Sequence, residues 1–316
     1  MKNRVIYHIV SVVAVTLTLA SAFYYLICLG LRHAKQDAIG KYNYITTDST
    51  YYSTVFFGAS SVHVSVNSIL FDSITGCNSY NAAMDGIGIA EINVLMKKYL
   101  LCHGNPKNIF ISIDEKTLGM ESGVWHFPQY YPFVNDTDLN EMIQLEPKLL
   151  LGKYAPAWAI TYIDDPLKNL GLIGLIRDYN KQQYSIPLKG FNPAYWSGMK
   201  DDLSNDSLYF ADSDNGWELL EQTLELCRQR NIHVDFVIAP RYNVTPANSF
   251  LHFITKLVSY RSKYNTTLFN FAVNENFKSK ELFPNRTHLN AKGAEIFTRH
   301  LAKEFLLVQH PNFFTD

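Results

Sequence analysis

The sequence predicts an α/β protein, a three-layer α/β/α sandwich around a central parallel sheet, preceded by one transmembrane helix. Short β-branched and aromatic runs alternate with longer helical patterns, which is how parallel strands joined by crossover helices read. An uncharged stretch lies close to the N-terminus, and 47% of the 316 residues are hydrophobic, enough for a large core.

The uncharged stretch comes first. Between Arg4 and Arg32 there is no Asp, Glu, Lys or Arg. At about 1.5 Å per residue it exceeds the hydrocarbon thickness of about 30 Å. A cleaved signal peptide is the competing reading, but its apolar region is only about 7 to 15 residues long and ends at small residues. Here Phe23-Tyr24-Tyr25-Leu26 stands in that place, and Ile27 is too bulky to precede a lipoprotein cysteine at Cys28. Residues 1–32 are therefore expected to be a retained anchor. Lys2 and Arg4 on one side nearly balance Arg32 and Lys35 on the other. A short N-terminal tail before one span is the usual layout of a signal anchor, so the expected topology is single-pass with an extracytoplasmic domain.

Residues 33–51 are polar, rich in Tyr and Thr, and read as a linker. A domain over 52–310 follows. Thr54-Val55-Phe56-Phe57, stopped by Gly58, has the pattern of a buried strand. Similar runs occur at 109–113, 234–239 and 267–271, with helical patterns at 89–101, 217–230, 250–264 and 291–307. The stretch 118–214 breaks this rhythm with the clusters Trp125-His126-Phe127 and Tyr130-Tyr131-Pro132-Phe133 and a helical-looking segment over 167–184. It is far longer than an ordinary connection and is expected to be an insertion folded onto the domain.

Composition narrows the function. Twenty-eight Lys and Arg against 29 Asp and Glu leave no field for a polyanion, so nucleic acid is not an expected partner. Cysteines at 28, 77, 102 and 227 form no C-x-x-C pair, and no His cluster has ligand spacing, so no metal is expected. Cys77 could pair with Cys102 in an oxidising compartment, although buried thiols are the simpler reading. No Gly-rich phosphate loop is present, and no cofactor is expected.

Open parallel sheets bind ligands beyond the carboxyl ends of their strands. After the first strand comes Gly58-Ala59-Ser60-Ser61-Val62-His63, where a serine on a sharp strand-to-helix turn would present its hydroxyl above the sheet. Near the C-terminus stands Phe283-Pro284-Asn285-Arg286-Thr287-His288-Leu289-Asn290, with Asn290 a candidate N-cap for the last helix. Each alone reads as an ordinary turn.

Together, a Gly-x-Ser after the first strand and a His-Leu-Asn before the last helix resemble the paired motifs of the SGNH (GDSL-like) hydrolase and acyltransferase superfamily. Asn81-Ala82-Ala83-Met84-Asp85-Gly86 is similar to the family's second block. The resemblance, over roughly 52–307, implies a flavodoxin-like sheet and acyl transfer. In it Ser60 is the nucleophile, His288 the general base, and the N–H groups of Ser60 and Gly86 form the oxyanion hole. Membrane-anchored relatives that serve polysaccharide acylation imply an esterase or O-acyltransferase acting on carbohydrate or acylated glycan, with a multi-span membrane acyltransferase as a partner in the transfer case.

Two positions depart from the family pattern. Asn285 stands where the family usually carries Asp, so it would orient His288 without a charge. The third strand runs into Asp114 where many members present an oxyanion-hole Asn; a carboxylate there would oppose an oxyanion, which favours a structural role such as fixing the turn around Ser60. These departures keep open a catalytically inactive relative that binds polysaccharide or assists a modification complex. Ser61 becomes the nucleophile if the turn is displaced by one residue. His63 is a candidate substrate contact, and Arg241, after the fourth strand, a candidate contact for an anionic substrate. Asp164-Asp165 and Asp201-Asp202 read as solvated loop charges.

Overall fold

A computed structural model describes residues 2–35, 37–119, 124, 126–176 and 189–309. It divides into two compact units, one of Met1–Tyr44 with Ser122–Ser185 and one of Ile45–Glu121 with Ile186–Asp316. Trp125 and the part of the expected helical segment beyond 176 lie outside the described residues.

The first unit is built on the N-terminal helix Lys2–Arg32, long and apolar enough to cross a membrane. The helix Asp165–Ile176 packs on it through glycines. A Cβ at Gly30 would fall 1.7 Å from the Gly171 carbonyl oxygen, and one at Gly174 would fall 2.0 Å from that of Gly30. The stretch expected to be a linker instead contains the helix Asp37–Thr47, within which the boundary between the units falls. Its Ile39, Tyr42 and Ile45 are buried, and Asn43 Nδ2 donates to the Leu31 and Ala34 carbonyls at 2.8 Å, closing the turn after the first helix. Aromatic spacing that looked aperiodic thus encodes a packed helix. The expected insertion also divides: Ser122–Ser185 clusters with the N-terminal residues, whereas 186–214 belongs to the second unit.

The second unit is the α/β domain. Strands β1 (Thr54–Phe57), β2 (Ser79–Asn81), β3 (Asn108–Ser112), β5 (His233–Ile238) and β7 (Thr267–Asn270) form one parallel sheet in the order β2-β1-β3-β5-β7. Strands β4 (Asp206–Leu208) and β6 (Val244–Pro246) pair separately. Counted alone, the five main strands run 2-1-3-4-5, the flavodoxin-like order. Helices Ser68–Thr75 and Ala291–Gln309 pack together on one side, and Ile89–His103 packs on Asp214–Gln229. Strand alternation divides the core accordingly. Phe56, Phe110, Val237 and Phe269 join the cluster containing Phe71, Leu301 and Phe305, whereas Phe57 meets Tyr99 edge to face.

Strand order reverses between β1 and β3, and ligand crevices form beyond the carboxyl ends at such a switch point. Ser60 follows the end of β1 by three residues. The predicted N-cap is also present: Asn290 Oδ1 accepts from the Gly293 N–H at 3.0 Å, opening the C-terminal helix just after His288.

Candidate active site

The turn after β1 depends on close backbone approach. Gly58 has φ +153°, and a Cβ there would fall 2.3 Å from Ser112 Cβ on the neighbouring β3. Ser60 then begins the short helix Ser60–His63, so its N–H is among those a helix leaves without intrahelical partners. Ser61 is buried, with its hydroxyl 3.4 Å from that of Ser112. It faces the sheet, so the displaced-turn alternative fails and Ser60 is the hydroxyl presented outward.

The C-terminal motif meets Ser60. His288 Nε2 lies 2.8 Å from Ser60 Oγ. On the other side of the ring, Nδ1 lies 2.9 Å from Asn285 Oδ1 and 3.0 Å from Thr287 Oγ1. Asn285 Oδ1 also accepts from the backbone N–H groups of Thr287 and His288, each at 3.0 Å. Two backbone donors converging on one atom require that atom to be the amide oxygen rather than the nitrogen. The oxygen therefore faces Nδ1, which must carry the proton, leaving the Nε2 lone pair directed at Ser60. An amide can thus set the tautomer a general base needs, here through a tight turn inside Asn285-Arg286-Thr287-His288.

Burial depresses the His288 pKa below the ordinary imidazole range. The Arg241 guanidinium acts in the same direction, while the Asp85, Glu115 and Asp114 carboxylates oppose it. The ring is accordingly neutral near pH 7 and able to accept a proton.

The block around Asn81 lies alongside the serine turn. Met84 N–H donates to the Gly58 carbonyl at 2.9 Å, and Asn81 Nδ2 donates to the Val62 and Val66 carbonyls, each at 3.0 Å. Two residues beyond Met84, Gly86 adopts φ 72°, a left-handed conformation that favours glycine. Asn81 is a positioning residue that its motif block contains without marking, since its burial is visible only in the structure.

Arg241 and His63 are not placed as expected. Arg241 is buried and forms a bidentate pair with Glu115, with Nη2 to Oε2 at 2.8 Å, and Nη1 also reaches the Ala239 carbonyl at 3.1 Å. Its charge is consumed internally rather than offered to a substrate. Burial alone would lower the Arg241 pKa and raise that of Glu115; their mutual attraction reverses both, so the pair is ionised. Nη1 lies 3.5 Å from the Thr287 carbonyl and the Tyr242 N–H donates to the Arg286 carbonyl, so the pair braces the loop carrying His288. Glu115 was missed, yet a signal existed: Glu115 and Arg241 each stand three residues past the ends of the adjacent strands β3 and β5.

His63 is buried, with Nδ1 2.9 Å from Asp85 Oδ1, so it ties the two motif blocks together instead of facing a substrate. Asp114 fixes its own turn rather than the one around Ser60: Oδ1 accepts from the Lys116 N–H at 3.1 Å and from the Thr117 hydroxyl at 2.8 Å. The cysteines are all free thiols, so Cys77 and Cys102 are not paired. Among the described residues no group of His, Cys, Asp and Glu could hold a metal.

No family model and no curated protein matches the chain. Among solved structures, it is similar to a protein described as of the G-D-S-L family from Desulfitobacterium hafniense DCB-2, at 8% identity and a TM-score of 0.42, covering 79% of this chain and 98% of that one. A likeness this shallow assigns no chemistry to the chain; only the geometry at Ser60 and His288 can.

Proposed function

We propose that the protein is a membrane-anchored, SGNH-like serine esterase or O-acyltransferase that acts on envelope or extracellular carbohydrate. The observation that carries the acyl-ester chemistry is the 2.8 Å contact between His288 Nε2 and Ser60 Oγ, with the opposite ring nitrogen held by Asn285. Ser60 Oγ attacks the ester carbonyl as His288 takes its proton; the tetrahedral intermediate collapses as His288 returns that proton to the leaving alcohol. Water or a sugar hydroxyl then attacks the acyl-serine by the same route, giving hydrolysis or transfer respectively. The N–H groups of Ser60 and Gly86 are assigned to the developing oxyanion. The apolar helix supports anchoring, and carbohydrate is the substrate class that the family resemblance favours. In the transfer case a multi-span membrane acyltransferase supplies the acyl group.

A second reading has its own observation. Asp114, at the position where the family resemblance expects an oxyanion-hole Asn, is bonded within its own loop, which favours a catalytically inactive protein that binds polysaccharide or assists a modification complex. A fluorophosphonate probe on the full chain in detergent separates the two. Labelling of the native protein that is absent in Ser60→Ala supports the enzyme. No labelling of a folded native chain, together with glycan binding, supports the binder.

A further inference from the structure

The N-terminal helix changes character part-way along. From Arg4 to Phe23 it rises about 30 Å, the thickness of a bilayer's hydrocarbon core. Residues 3–19 are exposed, and the first buried side chain is Tyr24. The changeover falls in Phe23-Tyr24-Tyr25, an aromatic triplet of the kind found at the headgroup level.

Other parts of the same unit meet the helix at this level. The Tyr24 ring packs edge to face on Tyr131, with centroids 5.8 Å apart. A Cβ at Gly152 would fall 2.4 Å from the Tyr24 hydroxyl, so the helix Leu149–Tyr154 presses on the anchor at the triplet. The next short helix, Pro156–Ala159, also packs on the N-terminal helix. Around these contacts the segment leaves large amphipathic rings uncovered: Tyr154 is 72% exposed and Trp158 63%, with Tyr162 at 38%. Lys153 Nζ lies 5.5 Å from the Tyr154 ring centroid, adding a cation beside it. Tyr and Trp with an apolar body and a polar tip, together with a flexible cation, suit a lipid headgroup boundary.

We propose that the segment from Leu149 to Tyr162 rests on the lipid headgroup layer beside the anchor, with Tyr154 and Trp158 entering the boundary between headgroups and acyl chains. The bilayer is the chosen occupant because this surface is continuous with the helix whose uncovered length matches the membrane. The proposal rests on the membrane-spanning reading of that helix. It makes the anchor's end a clamped collar rather than a loose tether.

The test uses the full chain reconstituted in phosphatidylcholine vesicles. Flotation first shows whether the chain is membrane-bound. Tryptophan emission is then recorded in vesicles brominated near the headgroup end of the acyl chains, and with aqueous acrylamide, for the native chain, Trp158→Phe and Trp196→Phe. The expected result is flotation, quenching of the native chain by bromolipid, and at least about a two-fold fall of the lipid-quenchable emission in Trp158→Phe but not in Trp196→Phe. Trp158 is exposed, so its replacement should leave the circular dichroism unchanged. Flotation with Trp158 reached by acrylamide alone overturns the collar and leaves the anchor standing. Flotation with Trp158 shielded from both quenchers overturns it in favour of a covering protein. Failure to float overturns both.

Discussion

The loops after β1 and β3 leave adjacent, in-register strands at the same end of the sheet and end in opposite uses. After β1, Gly58 lets the chain pass Ser112 and Ser60 emerges beside a neutral imidazole. After β3, Asp114 turns back on its own loop and Glu115 is committed to Arg241. One loop offers a hydroxyl to an imidazole, while the other supplies a fixed charge pair that braces the His288 loop. Position at the rim of a parallel sheet therefore marks a residue as a candidate, and its hydrogen-bond partners decide whether it reacts or supports.

Removing the reactive atom should have the largest effect. Ser60→Ala is expected to lower turnover of an activated acyl ester by at least about 10³-fold while leaving thermal unfolding unchanged, because Ser60 sits in a turn whose geometry depends on Gly58. His288→Ala should cost about as much, and the double variant little more, since the two act as a unit. Additive losses would mean that the hydroxyl and the ring do not cooperate.

Asn285 sharpens the contrast, because it holds the His288 ring without a charge, whereas the loop after β3 supports with an ion pair. Asn285→Leu removes the acceptor that sets the tautomer and should lower turnover by about 10²-fold. Asn285→Asp preserves the acceptor and adds a charge, so it should raise the His288 pKa, move the acid limb of the pH–rate profile upward and raise turnover by about tenfold. A fall in turnover for Asn285→Asp would show that the site is built around a neutral partner.

Gly58→Ala tests whether the approach of β1's turn to β3 is obligatory. A positive φ and a Cβ 2.3 Å from Ser112 Cβ should together destabilise the fold by about 3 kcal/mol, read as a fall in denaturant midpoint at constant slope. Pairing it with Ser112→Gly should recover part of the loss.

The sequence of strands and helices was legible because it rests on local signals, whereas the meeting of Ser60 with His288, far apart in the chain, was expected only through the family resemblance that pairs the two motifs. Apolar runs such as Thr54–Phe57 mark buried strands, and turn chemistry marks their ends. The contact of Asn285 with His288 is local in the same sense as the strand signals, since it lies within a four-residue turn. Arg241 was misread because its fate depends on Glu115, 126 positions away, and only strand adjacency brings them together. His63 was misread likewise, its partner Asp85 coming from the next block. The 33–51 stretch failed differently: Ile39, Tyr42 and Ile45 bury themselves on a helix too short for its period to stand out among polar neighbours.

The smallest expected effect separates bracing from catalysis. Glu115→Gln leaves Arg241 buried with its charge no longer balanced, a loss of about 2 kcal/mol given that Glu115 is partly exposed. The sign of the pH effect follows from the charges around His288. Burial and Arg241 push its pKa down while Glu115 pulls it up, so removing Glu115 should lower it further. The acid limb, expected below the usual imidazole value of about 6.5, should then move to lower pH. A pair that served only to hold the loop would lower stability and leave the limb in place. A limb that moves while KM stays constant would show that the supporting loop also tunes the base it braces.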